Sequence, residues 1–158
     1  TKFKLLEKEV KAFMIEVESR LQKHDEIQTS KLFRIYRDIR FSKNKTPYKT
    51  HFGIAYQRKK PLLRGGYYIH LEPKKSFLGV GFWGPNSLDL SRIRKELEID
   101  ADEFRKLTNN LTFKNYWGNL TGDEVKTAPK GFKKDHTNID LIKKKNNMYL
   151  LKNLLIMK

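Results

Sequence analysis

Tyr68, His70 and Glu72 stand at alternate positions in the segment GGYYIHLEP. If that segment is a strand, the three side chains share one face. An imidazole beside a carboxylate suits proton transfer or metal binding. A metal site needs a third ligand; His51, on a neighbouring strand, is the only candidate, so no metal and no cofactor are expected. The plainer expectation for the same residues is a polar sheet face held in cross-strand pairs.

A second group is basic: Arg34, Arg37, Arg40, Lys43, Lys45 and Lys49. Alternation of Phe33, Ile35, Ile39 and Phe41 with Arg34, Tyr36, Asp38 and Arg40 predicts a strand over 32–41. Arg34 and Arg40 would then lie on its charged face, with successive side chains about 7 Å apart. Planar guanidinium forks at such spacing can grip phosphates or carboxylates. Asp38 between them could instead pair one arginine, leaving a solvated ion-pair face of little energetic consequence.

The charge distribution sharpens this. The chain has a net charge of +16, and residues 31–60 hold ten bases against one acid. Residues 129–158 hold eight bases against two acids, but runs such as Lys143, Lys144, Lys145, Asn146, Asn147 read as a compositional bias toward Lys and Asn. Four of the ten bases in 31–60 are arginine, which makes that segment the better anion-binding candidate. Phe82, Trp83, Tyr67, Tyr68, Tyr116 and Trp117 could stack bases beside it, although core packing is the commoner use of such residues. Two function classes follow. The preferred one is a binding module for nucleic acid or a phosphorylated small molecule. The alternative is an enzyme acting on a small anionic substrate, using His70, Glu72, Tyr68 and Asp38 around a cleft rimmed by Arg34 and Arg40. Whether the chain is an enzyme stays open, as does its oligomeric state.

Composition excludes several classes. Hydrophobic residues are 38% and aromatics 12%, too many for a disordered chain. No run approaches eighteen apolar residues, so no membrane span and no membrane partner are expected. Cysteine is absent, which removes disulfides, thiol nucleophiles and thiolate metal sites. There is no phosphate-binding loop, no G-x-S-x-G elbow and no H-E-x-x-H.

The elements that must position these residues begin with a helix over 3–22. Phe3, Leu6, Val10, Phe13, Met14, Val17 and Leu21 form its apolar stripe. Period-two patterns predict further strands at 51–57, 66–72 and 76–83, joined by connections short enough for an antiparallel meander. Gly53 and Ala55 leave room on one strand face for a neighbouring side chain or a ligand. Helices return at about 87–98, after Asp100, over 112–120 and near Asp135; the closing LLKNLLIMK has no clear period. The expectation is a single α+β domain over 1–158, with a four-stranded or larger, mainly antiparallel sheet.

The stretch LFRIYRDIRFSKNKTPYKTHFG, at 32–53, resembles the signature of a bacterial family known as domain of unknown function 2461. GGYYIHLEP at 65–73, VGFWGP at 80–85, IRKEL at 93–97 and PKGFKKDH at 129–136 resemble its later blocks in order. The resemblance implies a cytoplasmic α+β domain and supplies no chemistry. A leading Asn-Arg-Glu-Trp-Phe-like segment and a closing helix, usual in the family, are not visible here, so the chain is expected to lack its extreme terminal segments.

Overall fold

The computed structural model describes residues 2–145 and 147–154. Among these residues ten elements follow one another: α1 (Lys2–Leu21), β1 (Ile27–Leu32), β2 (Phe52–Arg58), β3 (Gly66–Leu71), β4 (Phe77–Trp83), α2 (Ser87–Ile99), α3 (Asp102–Asn109), α4 (Leu111–Trp117), α5 (Ile139–Ile142) and β5 (Asn147–Asn153). The fold is α+β, and its five-stranded antiparallel sheet has the order β1-β2-β3-β4-β5. The chain divides into two compact units, Thr1–Gly79 with the end from Asn153, and Val80–Lys152. Charge and hydropathy patterning do not mark that division.

In the first unit, β2 pairs antiparallel with β1 and with β3. Phe52↔Leu71, Ile54↔Ile69 and Tyr56↔Tyr67 are cross-strand partners, so their side chains share the core face. Val10, Ile54, Tyr56 and Ile69 are buried there, with Met14, Val17, Leu21 and Leu78 packed around them. The buried Tyr56 hydroxyl donates to the Met14 carbonyl at 3.1 Å, which ties α1 to the sheet. The predicted stripe of α1 is seated in part, through Val10, Met14, Val17 and Leu21. Leu6 and Phe13 are exposed, while Phe3 stacks on Phe52.

The strand predicted over 32–41 is not formed. The strand beside β2 lies one step earlier, at Ile27–Leu32, and the segment after it is irregular. β2 explains the difference, because it starts only at Phe52. Phe33 N–H donates to the Gly53 carbonyl, and beyond that point β2 offers no backbone to continue the ladder. Residues 34–50 close on themselves instead. Arg37 N–H donates to the Pro47 carbonyl and Lys49 N–H to the Ile35 carbonyl, while the Tyr36 and Tyr48 rings lie 5.2 Å apart.

In the second unit, Asn86 caps α2 by accepting the Asp89 N–H, and Asn110 caps α4 through the Phe113 N–H. Gly118 ends α4 at φ 74°, a left-handed conformation that favours glycine. Arg94 donates to the Ile142 and Lys144 carbonyls, and Arg105 to Asp140, Asn138 and the Thr137 carbonyl. These bonds join α2 and α3 to the chain around α5. The unpatterned closing stretch contributes β5, whereas residues 155–158 lie outside the description, as does Asn146 of the Lys/Asn run.

Candidate functional site

The β2–β3 register places Gly53 opposite His70 and Ala55 opposite Tyr68. One residue beyond the ladder, His51 and Glu72 continue the same face. Period-two geometry thus puts Tyr68, His70, Glu72 and His51 on the side away from the α1 core. Phe77 stacks on the His70 ring at 4.7 Å, and the His51 and His70 ring centres are 4.1 Å apart. His70 and Glu72 keep 12% and 22% of their side-chain surface, so the group is sheltered and still reachable.

Hydrogen bonds link these side chains in a row. Thr50 Oγ1–H donates to Glu72 Oε1 at 2.7 Å. His70 Nε2–H donates to the Glu72 Oε2 carboxylate oxygen at 3.1 Å, and His70 Nδ1 stands at a long 3.5 Å from the Tyr68 hydroxyl. The His70 and Thr50 donors hold the Glu72 carboxyl below its ordinary range against the opposing effect of burial. Burial, then the neighbouring His70 and Lys49 charges, push the His51 imidazole down; Glu72 opposes this and Arg37 adds to it. Burial raises the Tyr68 phenol.

Tyr68 fills the room left by glycine. A β-carbon at Gly53 would stand 2.6 Å from its hydroxyl oxygen. Gly53→Ala is therefore expected to swing the phenol off His70 and to lower stability by about 1–3 kcal/mol, as overpacking does. Unchanged His70 imidazole resonances in a histidine-detected NMR spectrum would contradict that.

The structure does not assemble the other predicted site residues in the same way. Without a strand at 32–41, the expected charged face is absent. Arg40 donates to both oxygens of Asp38, at 3.0 and 2.7 Å, which commits that carboxylate within the loop. Arg37 donates to Thr46 Oγ1, Lys45 Nζ to the Ile39 carbonyl and Lys49 Nζ to the Arg34 carbonyl. These bases stitch the loop together, because an irregular segment leaves carbonyls that need donors. Arg34 and Lys43 extend into solvent, and Phe41 at the loop's edge is 95% exposed. Trp83 stacks on Tyr149, and Lys152 lies over the Tyr116 ring.

Two arrangements were not anticipated. Asp25 accepts from Arg58 and from the Tyr67 hydroxyl at 2.7 and 2.6 Å, a network joining the α1–β1 turn to β2 and β3. No spacing rule links residues so far apart. The second unit holds a half-open, largely apolar pocket of about 480 Å³, lined by Val80, Phe82, Ile93, Leu97, Phe104 and Leu141 among others.

The family of conserved hypothetical proteins called domain of unknown function 2461 (DUF2461) matches this chain over residues 1–154, and the chain belongs to that family. No curated protein and no solved structure matches it. No helix among the described residues is long and apolar enough to cross a membrane.

Proposed function

We propose that this member of the family is an enzyme acting on a small anionic substrate at the outer face of β2 and β3. The observation that carries the reading is the convergence of His51, His70, Glu72 and Tyr68 on one sheltered face. Glu72 orients His70, the imidazoles can exchange a proton with a bound group, and Tyr68 supports the ring from its other side. Arg37 and Lys49, which act electrostatically on His51, supply the positive field that an anion needs.

Inorganic phosphate is the probe. Titrated into the protein, it is expected to shift the His51 and His70 resonances saturably. Arg37→Gln and Lys49→Gln should each weaken that binding about 10- to 100-fold, since a hydrogen bond to a charged group contributes about 1.5–3 kcal/mol. Shifts that scatter over surface lysines, or an unaltered affinity in both variants, would overturn the reading.

The exposed Arg34, Lys43 and Phe41 support a second reading, in which the 34–50 loop binds single-stranded nucleic acid. Oligonucleotide affinity would then fall steeply with salt. Charge reversal at Arg34 and Arg40 would weaken it more than reversal at Lys133 and Lys134. Salt-independent binding, or equal effects at the two pairs, would remove this reading.

A further inference from the structure

We propose that His51, His70 and Glu72 are the protein ligands of a divalent transition-metal ion, with zinc as the reference ion. One donor atom from each of the three lies within 4.8 Å of the other two. Donors around a tetrahedral ion, at bonds of about 2.0–2.2 Å, stand roughly 3.4 Å from one another. The His70 Nε2 to Glu72 Oε2 separation is already 3.1 Å. His51 therefore has to close a gap of at most about 1.5 Å, and because the His51 and His70 rings lie 4.1 Å apart at an interplanar angle of 30°, both must turn to aim a nitrogen at one ion.

The donor set suits this class of metal. Two imidazoles and one carboxylate are the mixed nitrogen and oxygen ligands that zinc and its neighbours accept, and three protein ligands leave a position open. Calcium and magnesium prefer oxygen alone. The backbone beneath is rigid, because Phe52↔Leu71 and Gly53↔His70 are paired in the ladder directly beside the three residues. Supporting groups are also in place. Thr50 holds the second oxygen of Glu72, and the Tyr68 hydroxyl lies at Nδ1 of His70, where it can accept the N–H of a ring ligating through Nε2. A dication with one carboxylate leaves net positive charge at the site, which would draw an anionic group toward the open position. The inference keeps the anionic substrate of the enzyme reading above and rests on that reading only for what the ion would bind next; it gives the imidazoles a ligand role in place of proton exchange, and metal binding stands or falls by itself.

The test uses the full chain stripped with a chelator. Isothermal titration with Zn²⁺ is expected to give one site per chain, and Co²⁺ an absorption spectrum of four or five coordination. His51→Ala and Glu72→Gln should each weaken Zn²⁺ binding by about 100-fold or more, exceeding the loss typical of a supporting residue. His24→Ala, at an exposed histidine outside the cluster, should leave the affinity unchanged. The apo-protein melting temperature of each variant reports its folding separately. Absence of a stoichiometric site, or an equal loss in His24→Ala, overturns the proposal. Zn²⁺ binding without phosphate-induced histidine shifts would keep the metal and discard the anion-directed enzyme; the reverse pattern would do the opposite.

Discussion

Replacing Ile54 by alanine is expected to lower the unfolding free energy of the first unit by about 2–5 kcal/mol, the range for a large-to-small change in a packed core. Ile54 is fully buried, opposite Ile69 and beside Val10 and Tyr56. Its surroundings cannot readily collapse into the vacated space. Tyr56 is held by its hydrogen bond to Met14, and the ladder pins β2 on both sides. The midpoint of denaturant unfolding reads the effect. Leu62→Ala, at a side chain that is 91% exposed, provides the contrast and should change stability by less than about 0.5 kcal/mol. Similar midpoints for the two variants would mean that α1 is not seated on the sheet. The result bears on function, because Gly53 and Ala55, the chain neighbours of Ile54, lie beneath the candidate site.

Asp25→Ala is expected to cost about 1–3 kcal/mol, the cost of leaving hydrogen-bonding groups without their partner. It removes the acceptor for both Arg58 and Tyr67; Arg58 keeps its bond to the Arg64 carbonyl. The same network sets a pH window. Burial pushes the Asp25 carboxyl up, but the hydrogen bonds from Tyr67 and Arg58 outweigh it and leave the group below its ordinary value. A lowered folded value means that the unfolded chain takes up the proton first. The contribution is therefore complete above the ordinary carboxyl range near 3.8, and is lost as pH falls through the folded value. Burial and the Asp25 carboxylate push Tyr67 up to about 12, from 10.0. Its contribution has the opposite sense: present below pH 10 and lost as pH rises through the raised value. Unfolding curves recorded from pH 2 to 7 should show a shallower acid limb in Asp25→Asn than in the parent. Parallel curves would contradict the assignment.

Much of the frame is legible in the residues. α1 begins and ends within a residue of the predicted limits, and β2, β3 and β4 do the same, because their alternation coincides with real pairing. The faces are also correct: Tyr67, Ile69 and Leu71 turn to the core, and Tyr68, His70 and Glu72 turn away. Three segments depart from the reading, for opposite reasons. Residues 32–41 alternate well but have no strand beside them past Phe33. Ile27–Leu32 and Asn147–Asn153 have weak patterns but do have partners. A strand depends on its neighbour as much as on its own side chains.

The site divides along the same line. A period of two is a property of one strand, so the sequence alone determined that Tyr68, His70 and Glu72 are aligned, that glycine at 53 leaves room across from them, and that a basic segment precedes them. What stands opposite is a property of register. Only the tertiary structure decided that His51 closes on His70 and Glu72, that Tyr68 occupies the space over Gly53, and that Asp38 is taken up by Arg40. The physical reason is that a one-residue slip in the β2–β3 pairing would move His51 to the other face, and the register is set by burying Phe52, Ile54 and Tyr56 against Tyr67, Ile69 and Leu71, a packing choice made by the whole core.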